Sequence, residues 1–187
     1  MKIIIENKEI TYIKEKSKFI GMVFRVETED EINTILSNLK EKYYDATHIC
    51  YAMILTNKIK YFDDGEPSGT AGLPILEVLE KNELNYCLGV VIRYFGGIKL
   101  GANGLVRAYT KAISNAISNN TKDIEHGFLI YIEEDYTKKR NLDYLLRDAK
   151  KVKEQYDDKI KMHVIVNKKT LDNLSSIHYQ MIEEKIF

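Results

Sequence analysis

The densest chemistry in the sequence lies at 96 to 104, G-G-I-K-L-G-A-N-G, between a continuous apolar run at 87 to 95 and a stretch of helical periodicity. Gly96, Gly97, Gly101 and Gly104 let backbone N–H groups converge with no Cβ in the way. A helix beginning near Gly104 adds the partial positive charge of its N-terminus, and Arg93, Lys99, Arg107 and Lys111 add formal charge around it. Such a layout makes an anion site, with phosphate as its natural guest. The plainer alternative is that the glycines only permit a sharp strand-to-helix connection. Neither G-x-x-x-x-G-K-[ST] nor G-x-G-x-x-G occurs, so nucleotide hydrolysis and dinucleotide binding are not indicated.

A second irregular stretch, D-D-G-E-P-S-G-T-A-G at 63 to 72, offers Asp63, Asp64 and Glu66 as oxygen ligands or acid/base carboxylates, and Ser68 or Thr70 as a hydroxyl nucleophile. No G-x-S-x-G surrounds Ser68, and the same residue types equally fix an irregular loop through side-chain to backbone bonds. His48 and Cys50, two apart on an expected strand, point to one face; a core thiol and a polar anchor explain them more cheaply than a catalytic pair. His126, His163 and His178 show no metal-ligand spacing, and Cys50 and Cys87 form no C-x-x-C pair, so neither a metal nor a cofactor is expected.

The elements that must position these residues follow from periodicity. Residues 18 to 26 alternate, with Ile20, Met22, Phe24 and Val26 on one face of a strand. Thr28 and Glu31 form a capping box ahead of Ile32, Ile35, Leu36, Leu39 and Tyr43 at helical spacing. H-I-C-Y-A-M-I-L-T reads as a strand that Asn57-Lys58 turns back into I-K-Y-F. Leu73 to Leu79 suggest a short helix, C-L-G-V-V-I-R-Y-F a strand buried on both faces, and Leu105 to Ile117 a helix running to about Asn120.

Beyond Asn120 the composition turns Lys-rich and glycine-poor, which places a boundary in an exposed linker between about 121 and 127. The expected domains are 1 to 122 and 127 to 187. The second reads strand, helix, a hairpin across Asp157-Asp158, a helix carrying Leu171, Leu174, Ile177 and Met181, and K-I-F as a last strand: a small ferredoxin-like sandwich in outline. Tyr131, Tyr136, Tyr144 and Tyr156 would stack on unpaired bases if they shared its exposed sheet, although no RNP-type motif is present.

With 28 basic and 28 acidic residues the chain has no net charge, so any binding to nucleic acid has to use a local patch. No run approaches the roughly 20 apolar residues of a membrane span, and Glu6, Lys8 and Glu9 interrupt the N-terminus before a signal core can form, so a cytoplasmic protein without membrane partners is expected. Nothing in the sequence fixes an oligomeric state.

The blocks A-T-H-x-C-Y-A at 46 to 52, D-D-G-E-P-S-G-T-A-G-x-P-I-L at 63 to 76 and R-Y-F-G-G-I-K-L-G-A-N-G-L-V-R-A-Y at 93 to 109 resemble the signature of the IMPACT/YigZ family, with Asn103 where that family usually has glycine. The resemblance implies an α+β protein: a two-layer α/β sandwich of the ribosomal protein S5 domain 2-like type, then a small sandwich like the last domain of the translocating elongation factor. It also implies work on translation, since both relatives act on ribosomes and eukaryotic members compete for the activator of a starvation-responsive kinase. No family-wide catalytic residue is implied. The expectation is therefore a binding protein for RNA, the ribosome or a translation-associated protein. Two alternatives stay open: a hydrolase or phosphotransferase using Asp63, Asp64 or Glu66, and a protein-interaction module with no anion site.

Overall fold

The structure is a computed structural model that describes residues 1–55, 58–124 and 126–186. Its contacts divide the chain into two compact units, Met1–Asp123 and Ile124–Phe187. The turn expected at Asn57-Lys58 falls partly on Asn57, outside the described residues, as does Phe187 of the expected last strand.

The first unit runs β1 (Lys2–Ile4), β2 (Lys8–Lys14), β3 (Ser17–Arg25), α1 (Glu29–Lys42), β4 (His48–Leu55), β5 (Lys58–Phe62), α2 (Gly72–Lys81), β6 (Cys87–Tyr94), α3 (Gly101–Ile117) and β7 (Thr121–Asp123). Five strands form an antiparallel sheet in the order β2-β3-β6-β4-β5, with β6 at its centre. The two-residue period of each strand sorts the core. Phe19, Val23, Cys50, Ala52, Cys87 and Val91 pack with α2 and α3. Ile20, Met22, Ile49, Met53, Leu88 and Val90 pack with Ile32, Leu36 and Leu39 of α1. The α+β class thus stands, and α1 adds a third layer to the two expected, because the apolar residues of β3, β4 and β6 occupy both faces.

Sequence signals set the ends of α1: the Thr28 hydroxyl accepts from the Glu31 N–H at 3.2 Å, and Lys40 and Lys42 sit in the last turn against the helix dipole. Two expectations shift. The helix placed near Gly104 begins at Gly101, since Asn103 and Gly104 adopt helical geometry and nothing there forbids it. Thr121–Asp123, expected in an exposed linker, pairs antiparallel with Lys2–Ile4 and gives the N-terminal residues a hydrogen-bonding partner.

The second unit runs β8 (His126–Glu134), a 3-10 turn at Tyr136–Lys138, α4 (Lys139–Leu145), β9 (Lys150–Tyr156), β10 (Ile160–Asn167), α5 (Lys168–Asn173) and β11 (Tyr179–Ile186). The sheet order is β11-β8-β10-β9, with β8 and β10 central, the β-α-β-β-α-β arrangement of a ferredoxin-like sandwich. Ile130, Ile132, Met162 and Val164 meet Leu142, Leu146, Leu171 and Leu174 in its core. The helix expected to carry Ile177 and Met181 stops at Asn173, and Met181 lies in β11, where pairing with β8 satisfies its backbone.

Candidate functional site

The 63 to 72 loop is held by its own acidic side chains. The Asp63 carboxylate accepts from the N–H groups of Gly69 at 2.9 Å, Ala71 at 3.1 Å and Gly72 at 2.8 Å, which caps the start of α2. The Asp64 carboxylate accepts from the Ile49 N–H at 2.6 Å, and its carbonyl lies 2.7 Å from His48 Nδ1. A carbonyl only accepts, so Nδ1 carries a hydrogen. Thr70 donates its hydroxyl to the Pro67 carbonyl at 2.6 Å, while Ser68 is exposed. Asp63, Asp64 and Thr70 therefore shape the loop.

Below the loop lies a buried charge pair. Arg93 Nη1 donates to Glu66 Oε1 at 2.6 Å, with the two side chains 6% and 3% exposed. The Tyr109 hydroxyl donates to the same oxygen at 2.8 Å. The Cys50 thiol lies 3.0 Å from the Asp63 carbonyl and 3.4 Å from the Tyr109 oxygen. Burial pushes the Cys50 thiol up to about 12, with the neighbouring carboxylates adding to the shift, and it raises the Tyr109 phenol as well. The Arg93 guanidinium stands between the rings of Phe19 and Phe95, 5.4 and 5.5 Å from their centroids. Its Nε is buried without a hydrogen-bond partner.

The glycine turn closes the other side. A Cβ on Gly96 would sit 2.0 Å from the Lys16 carbonyl carbon, so only glycine fits there. The Gly96 N–H donates to Ser17 Oγ at 3.1 Å and the Phe95 N–H to Thr47 Oγ1 at 2.9 Å, which pins the turn to its neighbours. Gly101 enters α3 at φ +68°, and no side chain caps the helix, so its first N–H groups have no intrahelical partner.

The two loops meet in a cleft of about 440 Å³, whose lining includes His48, Glu66, Arg93, Phe95, Lys99 and the first residues of α3, Gly101 and Ala102. Of the residues singled out in the sequence, the cleft gathers Arg93, Lys99, Gly101, Glu66 and His48. Arg93 differs from the free cation expected, because its charge is matched by Glu66. Arg107 and Lys111 are exposed and lie outside the cleft lining. At about 100° per residue Arg107 lies about 200° round the helix from Leu105, which does line it. Thr47 and Phe95 escaped notice in the sequence; their only signal was their place inside A-T-H-x-C-Y-A and R-Y-F-G-G. Among the described residues, no group of three or more His, Cys, Asp or Glu is placed to hold a metal ion, and no helix is long and apolar enough to cross a membrane.

Residues 15–117, more than half of the chain, match the Impact N-terminal domain family. The chain belongs to the IMPACT family. It is 37% identical over 177 residues to the IMPACT family member YvyE of Bacillus subtilis (strain 168), covering 91% of this chain and 81% of that one. It is 37% identical over 118 residues to the protein IMPACT homolog of Dictyostelium discoideum, covering 59% of this chain and 31% of the relative. Among solved structures, a crystal structure described only as that of a hypothetical protein superposes with a TM-score of 0.63 at 26% identity, covering 98% of both chains. The segment matched to the IMPACT domain ends at the last residue of α3 and contains both loops and the whole cleft.

Proposed function

We propose that this IMPACT-family chain is a translation-associated binding protein that takes a phosphate-bearing ligand, RNA, in the cleft at the start of α3. The observation that carries this reading is the uncapped N-terminus of α3 opening, beside Lys99, onto a cleft whose wall holds an arginine with an unpaired buried Nε. Free N–H groups, the helix dipole and a lysine favour an anion at one point, and the neutralised Glu66 does not repel it. The family resemblance supports a role in translation and so RNA as the bearer of the phosphate. The alternative acid/base chemistry of Asp63, Asp64 and Glu66 is weakened, because Asp63 and Asp64 accept backbone N–H bonds and Glu66 is paired with Arg93.

The test is fluorescence anisotropy with a labelled single-stranded RNA across a salt series. Log affinity should fall with log salt, and Lys99→Ala should reduce the slope by about 0.7, the share of one phosphate contact on a single strand. Arg107→Ala and Lys111→Ala should leave the slope nearly unchanged. The cleft reading is wrong if native protein binds no RNA at low salt. It is also wrong if the outer cations of α3 matter and Lys99 does not.

A further inference from the structure

We propose that the sheet of the second unit carries its own site for an unstacked base of single-stranded RNA, built on Tyr131 and His163. Ile130, Ile132, Met162 and Val164 point into the core under α4 and α5, so Tyr131 and His163 lie on the opposite face of the two central strands. They are direct cross-strand partners, and their rings stand 5.0 Å apart at 48°. On the next strand, Lys153 pairs with His163 and Gln155 with Lys161.

These five side chains line a shallow hollow of about 210 Å³, and no carboxylate is in its lining. Lys153 is exposed and makes no ion pair among the described residues; Lys161 pairs directly with Asp158 at 3.3 Å and with Asp157 at 3.8 Å, both exposed carboxylates that a bound phosphate can displace. Two carboxylates beside the hollow are occupied: Glu133 accepts from the Tyr131 hydroxyl at 2.9 Å and pairs with Lys159 at 3.1 Å, and Asp157 accepts from Gln155 Nε2 at 2.5 Å. The first bond holds the Tyr131 ring by its far end. An anchored aromatic and an imidazole with lysines at their edge suit one kind of guest: a planar base on the rings with its phosphates on the cations. The unpaired Lys153 and a lining without carboxylates favour a polyanion over a neutral peptide, and the position on central strands favours a single strand, because paired bases hide their faces. The site draws on no residue of the cleft and stands whether or not the cleft binds phosphate.

The experiment compares a base-bearing RNA decamer with an abasic decamer of the same charge, by anisotropy on the full chain. The native protein should prefer the base-bearing strand. Tyr131→Leu should weaken that strand's binding about 5- to 150-fold, the range of one lost base–aromatic stack, and erase the preference. Tyr131→Phe should keep the preference, since it retains the ring and loses only the hydroxyl. Lys99→Ala should lower binding of both strands alike, so failure at the cleft and failure at this sheet are told apart. Should Tyr131→Leu misfold by circular dichroism, Lys153→Ala replaces it, with a salt slope smaller by about 0.7. Equal binding of both decamers by native protein, or native-like binding by folded Tyr131→Leu and Lys153→Ala, overturns the proposal and leaves this face to a protein partner.

Discussion

In Met1–Asp123 the Arg93–Glu66 pair has side chains 6% and 3% exposed, whereas in Ile124–Phe187 a pair such as Lys168–Asp172 has side chains 71% and 61% exposed. The first pair has lost its water and depends on its partners for compensation; the second keeps its water whether or not the pair forms. The same contrast runs through the two units. The first spends polar residues on fixing two loops around a cleft, and most of its polar bonds join residues far apart in sequence, as Cys50 with Asp63 and Tyr109 with Glu66. The second pairs charges locally, as at Lys139–Asp143 and Lys151–Glu154. Truncations should therefore be costly in the first unit and nearly silent on the surface of the second.

The largest effect is expected at Glu66. Glu66→Ala strands the Arg93 charge and the Tyr109 hydroxyl and should cost about 3 to 5 kcal/mol in urea denaturation. Adding Arg93→Met should restore part of that loss, because an uncompensated buried charge is worse than an apolar side chain. If Glu66→Ala costs no more than a surface change, the buried pair is not holding the loop. Next in size, Asp63→Ala removes the acceptor of three N–H groups and should cost about 2 kcal/mol.

Much of this unit was legible in the sequence. Alternation in residues 18 to 26 and the capping box at Thr28 gave the strand and α1 that hold the sheet. The partner of Arg93 was not legible, although its place in the series 87, 89, 91, 93 puts it on the α3 side of β6. What neutralises it, Glu66, comes from a loop 27 residues away, and no local pattern records that distance. Arg107 and Lys111 could have been separated from the cleft by the helical spacing of Leu105, Tyr109, Ala112 and Ile113. In the second unit Tyr131 was one of four tyrosines named; alternation keeps it on the face away from the helices, while Tyr136 and Tyr144 lie in the 3-10 turn and α4. His163 became visible as its companion only when β8 and β10 were paired.

A smaller effect sharpens the contrast through pH. Burial raises the Cys50 and Cys87 thiols to about 12 in the fold. An unfolded thiol titrates near about 8.5. Between those values the unfolded chain loses thiol protons that the folded chain keeps, so stability falls as pH rises from about 8.5. Each thiol contributes a slope of up to about 1.4 kcal/mol per pH unit. Urea midpoints from pH 8 to 10.5 should fall for native protein and fall less for the Cys50→Ala, Cys87→Ala variant. A parallel fall in both would place the alkaline sensitivity elsewhere. Smallest of all, Lys168→Ala should leave the urea midpoint where it was, and a clear shift would erase the contrast between the two units.

The central claim, that the start of α3 binds the phosphate of an RNA ligand, is tested most directly by RNA anisotropy on Ala102→Glu. Ala102 is exposed, lines the cleft and belongs to the first turn of a helix with no acidic residue there. A carboxylate at this place suits the helix dipole, so thermal stability should hold or rise by about 0.3 to 1 kcal/mol. The same carboxylate occupies the ground a phosphate needs, so RNA affinity at low salt should fall at least about tenfold, while Ala102→Lys should keep or strengthen binding. A stable Ala102→Glu protein that binds RNA as tightly as the native chain would contradict the account.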